Sequence, residues 1–223
     1  MTETAATGTG DTAGDTAGTS GSAATLTAVD LRRSPNPLAR HYSRFGVEDR
    51  LTLTGHSHQA WPDVAREGLL EAFDDAAAAR DDKWDRAMAK AEEVRDGYRR
   101  LLGDPDGAVA LAASTHELLI KLLSGLDVRH RRRLVTTGGE FHSARRQFLR
   151  LAEEGVEVVW VDPDPIATLA ERLADAATGG GTPADTTLAV LVSAVLFETA
   201  RIVPNLGALA EVCAAHGIEL VVD

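Results

Sequence analysis

The sequence predicts an α/β protein with a largely parallel sheet. Along residues 106–223, short apolar stretches of strand length alternate with longer stretches of helical periodicity, as in the βα units that build parallel sheets. Two of the apolar stretches, LAVLVSAV and IELVV, are almost continuously apolar, which is typical of strands covered on both faces. The run TGGGTPAD separates two such elements and predicts a loop over residues 178–185.

Two helices are predicted ahead of the sheet. Pro62, between Trp61 and Asp63, is typical of a first helical turn, and apolar residues recur behind it at helical spacing. An amphipathic run predicts a second helix over residues 83–102, which ends at Gly103.

The elements of the sheet follow in alternation. Strands are predicted over residues 108–112, 133–137, 156–161, 188–193 and 218–222. Helices are predicted over residues 115–125, 142–154, 166–177 and 205–216.

Composition excludes several classes of protein. The net charge of −11 over 223 residues argues against a general nucleic-acid or anionic-membrane binder, and no apolar run reaches the roughly 18–20 residues of a membrane span. The single cysteine, Cys213, lies in an apolar helical pattern and is interpreted as a core residue rather than a catalytic thiol. Residues 1–25, of which 21 are Thr, Ala, Gly or Ser, predict a disordered tail without a secretory signal, so a cytoplasmic location is expected.

Asp223 is the last residue of the chain and directly follows a predicted strand. Ligands of open α/β sheets bind outside the carboxyl ends of the strands, so this carboxylate is a candidate functional group. A parallel strand is normally followed by another helix, so we expect a fragment, although a naturally ended edge strand is the alternative.

Five segments in order resemble pyridoxal-phosphate enzymes of the class V aminotransferase type, closest to kynureninases. They are LTLTGHSHQAWP, DDKWDRAMAKAEEVRDGYRRLLG, AASTHELLIKLLSGL, GGEFHSARRQFLRLAEEG and LVSAVLFETARIVPNLGALAEVCAAHGIELVVD. The resemblance implies a three-layer, fold-type-I PLP-transferase-like large domain that is incomplete at its C-terminus. It divides the chain into the tail, an N-terminal segment with long helices over residues 26–105, and the first part of the cofactor-binding domain over residues 106–223.

The resemblance also implies a cofactor, pyridoxal 5'-phosphate, and the residues that hold it. Ser114 and Thr115, at the start of a helix, would bind the phosphate, since such helix starts suit anions. Phe141 would stack on the ring, and Asp223 would keep the pyridine nitrogen protonated. The alternatives are a plain helix N-cap, a core phenylalanine and an aspartate that caps a turn.

The substrate implied is a small-molecule amino acid, cleaved hydrolytically at a C–C bond or transaminated; a sulfur-removing relative is the weaker alternative. His56 and Ser57 match a segment near the substrate, with His56 where kynureninases usually carry Asn. His142 is interpreted as either a substrate contact or a helix N-terminal residue, and Ser143 as either a substrate contact or a cap. The family also implies a homodimer, and neither nucleic acid nor a membrane is an expected partner.

Three departures from the family pattern stand against activity. Ala194 replaces a polar residue, and Ala200 stands where the family has Gly before the arginine. The Schiff-base lysine is absent, because Lys83, Lys90 and Lys121 all lie in helical patterns. We therefore expect this chain to be inactive alone.

The competing interpretation is a non-catalytic truncated product or partner-binding module. A nucleotide-binding domain is disfavoured, because no glycine-rich phosphate loop follows a strand.

Overall fold

The computed structural model describes residues 27–31, 37–49, 59–179 and 186–223. The predicted tail, most of the predicted loop over residues 178–185, and both His56 and Ser57 lie outside the described residues. The chain divides between Lys90 and Ala91 into two units.

The regular elements described in the first unit are all helices or 3-10 turns. It contains α1 (Ala28–Leu31), α2 (Asp63–Ala78), short 3-10 turns at Ala39–His41 and Arg80–Asp82, and the start of α3 (Lys83–Leu102). Pro62 directly precedes α2 with a φ of −65°, the value that its ring imposes and that suits a helix start. The predicted α2 start and the predicted span of α3 are confirmed. No described helix combines the length and apolar character needed to cross a bilayer.

The second unit carries a four-stranded sheet whose neighbouring strands are all parallel. Its strands are β1 (Arg133–Thr137), β2 (Glu157–Val161), β3 (Thr187–Val192) and β4 (Glu219–Val222), in the order β2-β1-β3-β4. Besides the rest of α3, this unit contains α4 (Thr115–Gly125), α5 (His142–Glu153), α6 (Leu169–Thr178), which follows a 3-10 turn at Ile166–Thr168, and α7 (Leu206–Ala215). The predicted α/β fold with a parallel sheet is confirmed.

The sheet is covered by helices on both faces, because alternate strand residues point to opposite sides. Val135 and Val190 pack in one core with apolar residues of α6 and α7. Leu134 and Leu191 pack in a second core with apolar residues of α4 and α5. The result is a three-layer arrangement. Cys213 is buried in the first core, in agreement with its interpretation as a core residue. Burial there raises the pKa of its thiol.

One predicted strand is wrong. Residues 108–112 form no strand, although their apolar composition favours one. A strand needs a neighbouring strand whose backbone forms hydrogen bonds with the N–H and C=O groups of the first. Here side chains of α3 take that place: Arg95 Nε donates to the Val109 carbonyl at 3.1 Å, and Arg99 Nε donates to the Gly107 carbonyl at 3.0 Å. The segment is therefore held as irregular chain.

A second expectation is only half correct. All six residues of β3 are buried, as its continuous apolar run predicts for a strand covered on both faces. β4 is different, because Glu219 and Val222 are exposed. It pairs with β3 alone among the described strands, so its apolar residues are only partly covered.

Candidate functional site

The carboxyl ends of the four strands share one edge of the sheet, because all the strands are parallel. Polar side chains follow all four of those ends: Glu140 after β1, Asp162 after β2, Ser193 after β3, and Asp223 after β4. This edge is the usual ligand-binding position of an open α/β sheet.

A cavity of about 580 Å³ opens between α4 and the sheet. Its wall is mostly apolar, and its polar side chains come from Thr115, Lys121 and Asp223. The structure thus brings together two of the sequence-predicted cofactor residues, Thr115 and Asp223. The complete lining is Ala110, Leu111, Thr115, Leu118, Leu119, Lys121, Leu122, Ala144, Leu191, Val221, Val222 and Asp223.

The N-terminus of α4 carries a reciprocal cap. Ser114 Oγ accepts a hydrogen bond from the Glu117 backbone N–H at 3.2 Å, and the Glu117 carboxylate accepts one from the Ala113 N–H at 3.2 Å. This arrangement resembles the capping box expected of Ser and Glu three residues apart. Ser114 therefore acts as the helix N-cap, which is the alternative that the sequence left open, and it does not line the cavity.

Three polar groups at the same helix end have no partner among the described residues. They are the backbone N–H groups of Thr115 and His116 and the buried Nδ1 atom of His116. The first N–H groups of a helix carry partial positive charge and favour an anion. The start of α4 thus retains free hydrogen-bonding capacity after its own cap is made, and of these residues Thr115 lines the cavity.

Lys121 is a lining residue that sequence reasoning dismissed because it lies within a helix. Its Nζ donates to Glu117 Oε1 at 2.6 Å, and this ion pair, together with the Ala113 N–H, lowers the pKa of Glu117. Helical spacing could have found Lys121, because it lies three residues after Leu118 on the face that turns to the cavity.

Phe141 lies at the N-cap position of α5 and is 38% exposed. Its ring centroid is 4.0 Å from that of His142, and 4.8 Å from that of Phe197 in a nearly perpendicular, edge-on arrangement. Phe141 is therefore not a core phenylalanine. Neither it nor the adjacent His142 and Ser143, in the first turn of α5, lines the cavity that contains Thr115 and Asp223.

Glu140 is the buried carboxyl group that sequence reasoning missed. It is 2% exposed, and it accepts hydrogen bonds from the Ser193 N–H and hydroxyl. Burial raises the pKa of Glu140, the bonds from Ser193 oppose that rise, and nearby Asp223 adds to it. Its position shortly after a strand could have revealed it, by the argument that singled out Asp223.

The backbone of Asp223 is bonded to the end of β3 and the chain that follows it. Its N–H donates to the Val192 carbonyl at 3.1 Å, and its carbonyl accepts from the Ala194 N–H at 2.8 Å. Asp223 itself is exposed at the end of β4. A carboxylate on a firmly held backbone can pair with a cationic group of a ligand in the cavity.

The two alanines that depart from the family pattern both lie in the connection after β3. Ala194 keeps its backbone contact with Asp223 and lacks only the polar side chain. Ala200 has a φ of +53°, in the left-handed region that glycine adopts at little cost. Glycine would therefore adopt the backbone conformation of this position with less strain than alanine does.

No grouping of three or more His, Cys, Asp or Glu side chains suited to a metal ion occurs within the described ranges.

No protein-family model matches the chain, and no curated protein matches it. Among solved structures, a crystal structure of mouse CSAD aligns with a TM-score of 0.44 and 21% identity over 60% of this chain. Its apo form aligns with a TM-score of 0.41 and 22% identity over 59%. The match spans 31% of the mouse chain in both cases.

Proposed function

We propose that the cavity between α4 and the sheet binds pyridoxal 5'-phosphate, and that this chain is part of an enzyme acting on an amino-acid substrate. One observation carries the proposal: Thr115 at the start of α4 and Asp223 at the end of β4 line the same cavity of about 580 Å³. An anion-binding helix end and a carboxylate are what the two polar ends of this cofactor require.

The phosphate end fits the start of α4. The N–H groups of Thr115 and His116 have no other acceptor in the described part of the chain, and Thr115 lines the cavity. Glu117 contributes negative charge at the same helix end, but its carboxylate is paired with Lys121. The polar groups available for a phosphate are therefore those of Thr115 and His116, while Ser114 is committed to the cap.

The ring end fits Asp223. A carboxylate beside the pyridine nitrogen holds that nitrogen protonated, and the bound cofactor then supplies the electron sink that stabilises negative charge at an amino acid's α-carbon. The stacking role of Phe141 and the substrate roles of His142 and Ser143 stay predictions, as does the kynureninase-like reaction.

The lysines of the chain predict binding without turnover. Lys83 and Lys90 lie on α3, and Lys121 is bonded to Glu117 at 2.6 Å. None is placed beside Asp223 on a loop after a strand, where the family pattern puts its lysine. We therefore expect residues 1–223 to hold the cofactor but not to convert an amino acid.

The test is equilibrium binding of pyridoxine 5'-phosphate, which lacks the aldehyde that reacts with surface lysines, followed by fluorescence. The replacement Asp223→Asn removes one charge-assisted hydrogen bond, so affinity should fall about 10- to 100-fold. Thr115→Val, which removes the side-chain hydroxyl, should also lower the affinity. The matched control is Asp162→Asn, which changes an aspartate that follows β2 but does not line the cavity. Absence of saturable binding, or equal binding by Asp223→Asn and the control, would contradict the proposal.

A partner-binding module of the same fold is the second candidate. It is favoured by β4, which pairs with a single neighbour among the described strands, and by the exposed apolar residues Val222, Leu101 and Leu102. Light scattering coupled to size exclusion separates the candidates. A homodimer that binds pyridoxine 5'-phosphate supports the enzyme part, whereas an oligomer that binds none supports the module.

A further inference from the structure

We infer that Glu140 is a positioning residue, which acts through Ser193 to fix the backbone that carries Asp223 at the carboxyl edge of the sheet. The placement of Asp223 follows from contacts within this chain. Only the consequence for cofactor affinity rests on the proposed function.

Glu140, shortly after β1, and Ser193, directly after β3, are hydrogen-bonded to each other although they lie 53 residues apart in sequence. The Ser193 backbone N–H lies 3.2 Å from Glu140 Oε1 and 3.1 Å from Oε2, and the Ser193 hydroxyl donates to Oε2 at 2.5 Å. Both residues are buried, at 2% and 5% exposure. Hydrogen bonds that are this well shielded from water resist exchange with solvent and restrict movement of the groups they join.

Ser193 lies between the two residues that hold Asp223. The preceding residue, Val192, accepts the Asp223 N–H, and the following residue, Ala194, donates to the Asp223 carbonyl. A shift of Ser193 would therefore displace both backbone contacts of Asp223 together. Glu140 is thus connected to Asp223 by its hydrogen bonds to Ser193, by the peptide bonds from Ser193 to its two neighbours, and by the backbone hydrogen bonds of those neighbours to Asp223.

The burial of Glu140 points to more than packing. Among the described residues it forms no ion pair, and its hydrogen-bond donors are both from Ser193. A buried carboxyl group without a cation is costly, and an apolar side chain would fill the space at lower cost. The group supplies two acceptors to one residue, which a side chain chosen for volume alone does not do.

Amide hydrogen exchange measured by NMR on the full chain tests this inference. In Glu140→Leu the Ser193 N–H and hydroxyl lose their acceptor, so the amides of Asp223 and Ala194 should exchange about tenfold faster. The amides of Val135 and Val190, in the centre of the sheet, should change much less. Glu140→Gln keeps one acceptor for the Ser193 N–H and should restore most of the protection. Ser193→Ala, which loses only the hydroxyl bond, should give a smaller increase.

The matched control is Glu154→Leu, which makes the same change at an exposed glutamate. If Asp223 and Ala194 accelerate no more than Val135 and Val190, Glu140 is only a stabilising residue and the inference is overturned. If Glu140→Leu does not fold, the same comparison of amides is made in Ser193→Ala, and unchanged exchange there overturns it.

Binding of pyridoxine 5'-phosphate separates this inference from the proposed function. We expect Glu140→Leu to bind about tenfold more weakly than Glu154→Leu. Equal affinities of these two variants would overturn the positioning role for the site. If the unmodified chain binds none of this probe, the proposed function fails, and amide exchange alone decides on Glu140.

Discussion

Replacement of Phe148 by alanine should destabilise the sheet-containing unit more than any comparable change at an exposed phenylalanine. Phe148 is completely buried and lies in the core between α4, α5 and the sheet, with Leu134 and Leu191. Its ring centroid is 6.2 Å from that of Trp160. Removing the ring leaves a cavity that the surrounding strands cannot close.

The expected loss in free energy of unfolding is about 3–5 kcal/mol, the usual range for Phe→Ala in a core. Since a whole domain is stable by only about 5–15 kcal/mol, the variant should be close to unfolding. Phe197 provides the matched control, because it is 51% exposed and its main aromatic contact is the edge-on one with Phe141. Phe197→Ala should cost about 0.5–1.5 kcal/mol.

The assay is guanidinium denaturation followed by far-ultraviolet circular dichroism. We expect the midpoint to fall for Phe148→Ala with an unchanged slope, and to fall much less for Phe197→Ala. Equal losses in the two variants would refute the placement of Phe148 in the core and, with it, the packing of α5 on this face of the sheet.

Two further predictions concern the carboxyl edge. Ala200→Gly should raise the free energy of unfolding by about 0.5–1 kcal/mol, because Ala200 has a φ of +53°. Relief of that strain in the folded state exceeds the entropy that glycine adds to the unfolded chain. A lower denaturation midpoint of the variant would contradict this prediction. For Glu140, burial raises the pKa above its ordinary value of 4.5, so the folded state binds the proton more tightly than the unfolded state. Stability should therefore fall as pH rises from 4.5 through the raised pKa. Urea unfolding between about pH 4 and 8 should show Glu140→Gln gaining stability relative to the unmodified chain across that interval, and a difference independent of pH would exclude the shift.

Much of the local structure was predictable, because helical and strand periodicity depends on neighbouring residues. The bounds of α4 and β1 agree with those predicted from sequence, and Ser114 with Glu117 is a capping pair that can be read from its spacing. The parallel order of strands follows from the alternation of elements, since parallel neighbours need a crossover between them. Asp223 was predicted to lie at the carboxyl edge by the same reasoning.

The parts that could not be predicted depend on contacts between residues far apart in sequence. The apolar character of residues 108–112 is the same in a strand and in irregular chain, and the side chains of Arg95 and Arg99 decide the outcome by taking backbone carbonyls. The position of Phe141 against Phe197, and not in the core, likewise depends on a loop about 56 residues away in sequence.

The sequence by itself determined which segments become helices and strands, because hydrophobic period, caps and turn residues act over a few positions. Only the tertiary structure decided which polar groups meet at the edge of the sheet. Lys121 reaches the cavity because of the face that α4 turns to the sheet, and Glu140 meets Ser193 because β1 and β3 are neighbours. Such contacts are set by the packing of whole elements, which no short stretch of sequence encodes.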